Sequence, residues 1–119
     1  MKPYVGTVSI KVKDLDRAKA FFTDNFGWIC TADVTNGGYR WVSVAPGESG
    51  QTNLHLSKED GAGESANVMI ECDDVVKTAE ALKAKGVEIT QEPITAGWGG
   101  SAAFKDSEGN EFRLHNAAK

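Results

Sequence analysis

The chain lacks most of the features that mark a specialised protein class. It has no excess of positive charge, since 13 Lys and Arg stand against 17 Asp and Glu for a net charge of −4. Phosphate binding needs a basic face, and the lysines here are scattered, so the composition argues against a nucleic-acid partner. No apolar run approaches the length that a membrane span requires. The opening Met1-Lys2-Pro3-Tyr4 has none of the apolar core of a secretion signal, which makes the cytoplasm the expected compartment. There are only two cysteines, Cys30 and Cys72, and both lie inside apolar strand patterns. They read as buried thiols of a reducing compartment rather than as a disulfide.

What is present is ordinary in amount and unusual in arrangement. At 119 residues, with 40% apolar and 25% charged content, the sequence describes one compact domain or two half-domains sharing a core. It nearly repeats itself. Thr7-Val8-Ser9-Ile10-Lys11-Val12-Lys13-Asp14-Leu15 lines up with Asn67-Val68-Met69-Ile70-Glu71-Cys72-Asp73-Asp74-Val75. Each segment alternates apolar and polar residues, reaches an Asp, then opens a helical pattern that stops at Gly27 or Gly86. Identity between the halves is low, so the shared pattern carries the argument. Two copies of one supersecondary unit must pack to bury their sheet faces, and a concave site can form where they meet.

The coarse reading is β-α-β-β-β, twice. Residues 7–12 form a strand and Arg17 to Phe26 a helix with Ala18, Phe21 and Phe22 on its apolar stripe. Trp28 to Val34, Tyr39 to Ala45 and Thr52 to Ser57 are strands, the first two joined by the Asn36-Gly37-Gly38 turn. Pro46-Gly47-Glu48-Ser49-Gly50 is a loop, and Lys58 to Ser65 joins the halves. The second half gives a strand over Asn67 to Cys72, a helix over Val75 to Lys85 and a short strand over Val87 to Thr90. Two more strands follow, Trp98 to Lys105 and Glu111 to His115. The class is α+β, a curved, mixed, mainly antiparallel sheet around a cleft, in modules of about 6–57 and 66–115 within a single domain of 1–119.

The ordered motifs resemble the vicinal oxygen chelate superfamily of glyoxalase I, extradiol dioxygenases, fosfomycin-resistance enzymes and bleomycin-resistance proteins. The resemblance rests on Ile10-Lys11-Val12-Lys13-Asp14-Leu15, Ala18 with Phe21-Phe22, Phe26-Gly27-Trp28, and Arg40-Trp41-Val42-Ser43-Val44-Ala45-Pro46. It continues through Gly86-Val87-Glu88 and Phe104-Lys105-Asp106-Ser107-Glu108-Gly109-Asn110-Glu111-Phe112, where Ser107 replaces the proline of the family's hairpin. It covers residues 6 to 115.

Strand alternation assigns the cleft lining. With Val8, Ile10 and Val12 under a helix, Thr7, Ser9 and Lys11 face the cleft. The same logic places Tyr39, Trp41, Ser43, Asn53, His55, Ser57, Asn67, Met69, Glu71, Glu111, Arg113 and His115 there. The resemblance implies a metal held from Thr7, His55, Asn67 and Arg113, but of these only His55 is a good ligand. Arg113 carries a permanent positive charge and no acceptor. Thr7 and Asn67 suit zinc, nickel or iron poorly. A displaced site of His55, Glu71, Glu111 and His115 is the alternative. Against it stands a plainer reading, with Glu71 and Glu111 paired to Lys11 and Arg113 and His115 fraying near the end of the chain.

Arg113 reads either as a fork for a ligand carboxylate or phosphate or as an ion-pair partner of Glu111 or Glu71. His55 reads as a general base or as a hydrogen-bonded cleft histidine. Trp41 and Trp98 could stack on a planar ligand, though Trp98 reads better as core. Gly97, Gly99 and Gly100 read as a flexible lip. The expected protein is therefore a cofactor-free binder of a small planar or anionic compound, with Thr7, Trp41, His55, Asn67, Met69 and Arg113 lining the site. By resemblance it is a homodimer. The rivals are a glyoxalase-like lyase or isomerase using a metal or acid–base work by His55, Glu71 and Glu111, and a regulatory module with an occluded cleft.

Overall fold

The computed structural model describes residues 2–47 and 52–118, so the Glu48-Ser49-Gly50 part of the expected loop lies outside the described residues. The chain divides into two compact units, residues 1–62 and 63–119. Each is a β-α-β-β-β module. The first runs β1 (Thr7–Val12), α1 (Leu15–Phe26), β2 (Ile29–Asn36), β3 (Tyr39–Ala45) and β4 (Asn53–Lys58). The second runs β5 (Ser65–Glu71), α2 (Val75–Ala84), β6 (Ile89–Ala96), β7 (Gly99–Lys105) and β8 (Glu111–Ala117).

In each unit four strands form one mixed sheet, ordered β1-β4-β3-β2 and β5-β8-β7-β6. The first strand lies parallel to the last, and every other pair is antiparallel. The helix supplies the crossover that a parallel pair needs. Asp14 caps α1 by accepting from the Arg17 N–H at 3.0 Å, and Asp74 caps α2 by accepting from Val76 and Lys77. Gly27 ends α1 in the left-handed region at φ 66°, a conformation that costs glycine least.

One face of each sheet is dry. Ile10, Val12, Val42, Val44, Leu54 and Leu56 are buried in the first unit with Ala18 and Phe22 of α1. Phe22 is flanked by Phe26 and Trp28, the latter stacked on it at 5.4 Å. In the second unit Ala102, Phe104, Phe112 and Leu114 are buried with Val75, Ala79 and Leu82 of α2. The opposite face of each sheet carries the polar and aromatic residues assigned to the cleft.

Three expectations are corrected. The strand expected over Val87–Thr90 is Ile89–Ala96, because an edge strand tolerates Pro93, which has no N–H to donate. The cysteines are free but not buried: Cys30 is exposed on edge strand β2 beside a bulge, and Cys72 is half-buried. Gly99 and Gly100 are no flexible lip. They are buried in β7, and a Cβ on Gly100 would sit 2.6 Å from Val75 Cγ2. Glycine is required there by close packing of the sheet against the start of α2.

Candidate functional site

The open face of the first sheet is organised around His55. The register places Ser9, His55 and Ser43 side by side on β1, β4 and β3. His55 is only 6% exposed. Its Nδ1 lies 2.9 Å from Ser9 Oγ and its Nε2 lies 3.0 Å from the Tyr39 hydroxyl. Trp41, two residues along β3 from Ser43, covers one ring face, with centroids 3.7 Å apart and planes 9° from parallel. Each hydroxyl can donate or accept, so a neutral imidazole is satisfied at both nitrogens. Burial lowers the His55 pKa from its ordinary 6.5, against an opposing pull from Glu59. Beside it, Thr31 donates to Asn53 Oδ1 at 2.7 Å and lies 2.7 Å from Ser43 Oγ. Thr7, an exposed position, pairs with Asn53 rather than with His55.

The second sheet is built differently on the same frame. The row equivalent to Ser9, His55 and Ser43 is Met69, Arg113 and Ala103, continued by Gln91 on β6. Across the small Ala103, Arg113 Nη1 reaches Gln91 Oε1 at 3.4 Å. The next row holds Glu71, His115 and Ser101. His115 Nδ1 lies 2.8 and 2.9 Å from the two Glu71 carboxylate oxygens, and Trp98 stacks on the ring at 6.4 Å and 7°.

Several assignments change as a result. Glu71 engages His115 rather than Arg113. His115 does not fray, because β8 continues to Ala117 and holds it in register. Trp98 is not core but 54% exposed, lying over His115. Arg113 bonds Gln91, and of its two readings the ion pair with Glu111 or Glu71 is not formed. Among the described residues, no three His, Cys, Asp or Glu side chains converge as a metal site would require.

Sequence reasoning named Ser9 and Tyr39 as cleft residues but missed them as the partners of His55. The signal was the parallel pairing of β1 with β4, which puts Ser9 opposite His55. Gln91 and Ser65 were missed outright, since each lies beside a register shift that the alternation pattern does not reveal.

With this geometry in hand, comparison with known proteins gives the family. Residues 4–114 match the Glyoxalase/Bleomycin resistance protein/Dioxygenase superfamily, and the chain belongs to it. It is 36% identical over 115 residues to the uncharacterized protein YetH of Bacillus subtilis, covering 92% of this chain and 95% of that one. It is 33% identical over 95 residues to a probable chloroplastic lactoylglutathione lyase of Arabidopsis thaliana, covering 72% of this chain but 27% of that protein. Among solved structures it resembles TnmS3, an antibiotic binding protein from Streptomyces sp. CB03234, with TM-score 0.84 and 28% identity over 98% of each chain. No helix is long and apolar enough to cross a membrane among the described residues.

Proposed function

We propose that this chain is a metal-independent small-molecule-binding protein, acting as a homodimer on a small planar or anionic organic compound. The ligand-binding residues we propose are Thr7, Trp41 and His55 of the first sheet and Asn67, Met69 and Arg113 of the second. The observation that carries this reading is the state of His55. It is the one good metal donor among the four positions the family would use. Its two ring nitrogens are already occupied by Ser9 and Tyr39, and Trp41 covers its face. Thr7, Asn67 and Arg113 add a hydroxyl, an amide and a guanidinium, a set that does not fit a divalent cation. Exposed Trp41 and Met69 beside fixed polar groups make the kind of lining that holds an organic molecule. The likeness to an antibiotic binding protein over nearly the whole chain agrees with this.

Metal analysis of protein purified without added metal tests the reading. Well under one divalent ion per chain is expected. A near-stoichiometric ion that is lost in His55→Ala would overturn it. The lyase reading rests on the Arabidopsis relative and needs such an ion, or acid–base work at His55, Glu71 or Glu111. A calorimetric search for heat of reaction with small carbonyl compounds should be negative.

A further inference from the structure

The strained point of the second unit sits at the rim of a small cavity. Asn67 has φ 55°, the one positive φ at a non-glycine residue among those described. It occupies a bulge in β5. Ser65 pairs with Glu111 and Met69 with Arg113, so β5 spends two more residues than β8 over the same span. The left-handed backbone disfavours most side chains, and Asn is among the few that tolerate it. Such strain persists where the surroundings impose it, commonly at ligand sites. Here the bulge borders a pocket of about 240 Å³ lined by Ser65, Asn67, Val68, Met69, Glu111 and Arg113.

The chemistry of that pocket is specific. Ser65 Oγ accepts from the Asn67 N–H and donates to the Asn67 side-chain oxygen, both at 3.3 Å, which fixes the amide and leaves its NH2 group for a ligand. Arg113 gives one N–H to Gln91 at the long distance of 3.4 Å, and Glu71 is occupied by His115. The guanidinium thus keeps a fork of donors for an anion, the geometry that matches a carboxylate. Glu111 lines the same pocket. Its charge opposes a dianion and accepts from a hydroxyl or ammonium group.

We infer that this pocket is a subsite for a small monocarboxylate bearing a neighbouring hydrogen-bond donor, held by Arg113 and Asn67 with Glu111 accepting from the donor. The inference rests on the small-molecule reading above and names the ligand class for the second-sheet residues.

Mandelate, mandelamide and phenyl phosphate serve as probes, titrated into isotope-labelled protein while backbone amide shifts are followed. Mandelate should shift Asn67, Met69 and Arg113 saturably; mandelamide should be at least about tenfold weaker through loss of the bidentate charged contact, and phenyl phosphate weaker too because Glu111 repels its dianion and it lacks the neighbouring donor. Arg113→Gln should weaken mandelate by a similar factor and Arg113→Lys by less. Asn67→Gly, which suits the backbone and removes the amide, should also weaken it, so a lost response is not a lost fold. Equal response to mandelamide, or undiminished binding in Arg113→Gln, would overturn the inference. So would shifts confined to Trp41 and His55, an outcome that leaves small-molecule binding standing. Silence at every residue would also overturn the inference, while the metal analysis decides the broader reading separately.

Discussion

A histidine bonded at both ring nitrogens and stacked under an indole behaves differently from one in water, and His55 makes that difference measurable. Its folded pKa lies below the ordinary 6.5, chiefly through burial. Between those two values the unfolded chain binds a proton that the folded one refuses, so stability must fall as pH drops below about 6.5 and level off beneath the folded pKa. Above that range both states are neutral and this group adds no slope. The melting temperature should therefore decline on acidification from neutrality, and His55→Gln should remove part of that decline. An unchanged slope in His55→Gln would show that the ring is not desolvated. Asp106 offers a second check. Its buried carboxylate accepts from the Glu108 and Asn110 N–H groups at 2.8 and 2.9 Å and from the Asn110 amide at 3.1 Å. Asp106→Ala strands those donors in a buried turn and should lower stability by about 1–3 kcal/mol in denaturant unfolding. A change under a few tenths would mean that water replaces the carboxylate.

The elements show which features follow from sequence pattern and which from tertiary pairing. Alternation at Val8, Ile10 and Val12, and at Phe112 and Leu114, marks the buried faces because a half-covered strand has period two. Asp14 and Asp74 mark helix starts because a carboxylate meets the first free N–H groups. The extent of β6 is not legible, because Pro93 and two register shifts interrupt the pattern that would announce it. The Asn67 bulge is equally hidden, since its two extra residues appear only when β5 is laid against β8. The same holds for the site. That Trp41 and His55 share a face is a matter of parity, whereas the pairing of Glu71 with His115 under Trp98 depends on register and rotamer. Gly99 turns this into a prediction. Its φ is +127° and a methyl there collides with the Asn116 carbonyl oxygen, so both backbone and space exclude a side chain. Gly99→Ala should destabilise by more than about 1 kcal/mol, whereas Gly97→Ala, with open space around it, should lie within about half of that. Equal effects would mean that β7 relaxes easily from the end of β8.

At the scale of the whole molecule, each unit covers one sheet face with its helix and leaves apolar side chains on the other. Val34, Tyr39 and Trp41 are exposed in the first unit, and Met69, Ile94 and Trp98 in the second. Val34 pairs with Trp41 across β2 and β3, so two of these residues form a continuous patch at a sheet edge. Ile94 lies on β6, the edge strand of the other sheet. Exposed apolar patches at edges invite association unless something covers them. A closed two-fold dimer is the commonest way for one chain to cover them with its own kind. Light scattering on a sizing column should then give twice the chain mass at micromolar concentration. Placing charge on both edges, with Val34→Lys and Ile94→Lys together, should shift that mass toward the single chain while circular dichroism keeps its folded form. Both residues are already exposed, so the substitutions empty no core. A single-chain mass for the unaltered protein sinks the dimer, and an unaltered dimer in the double variant moves the contact away from β2 and β6.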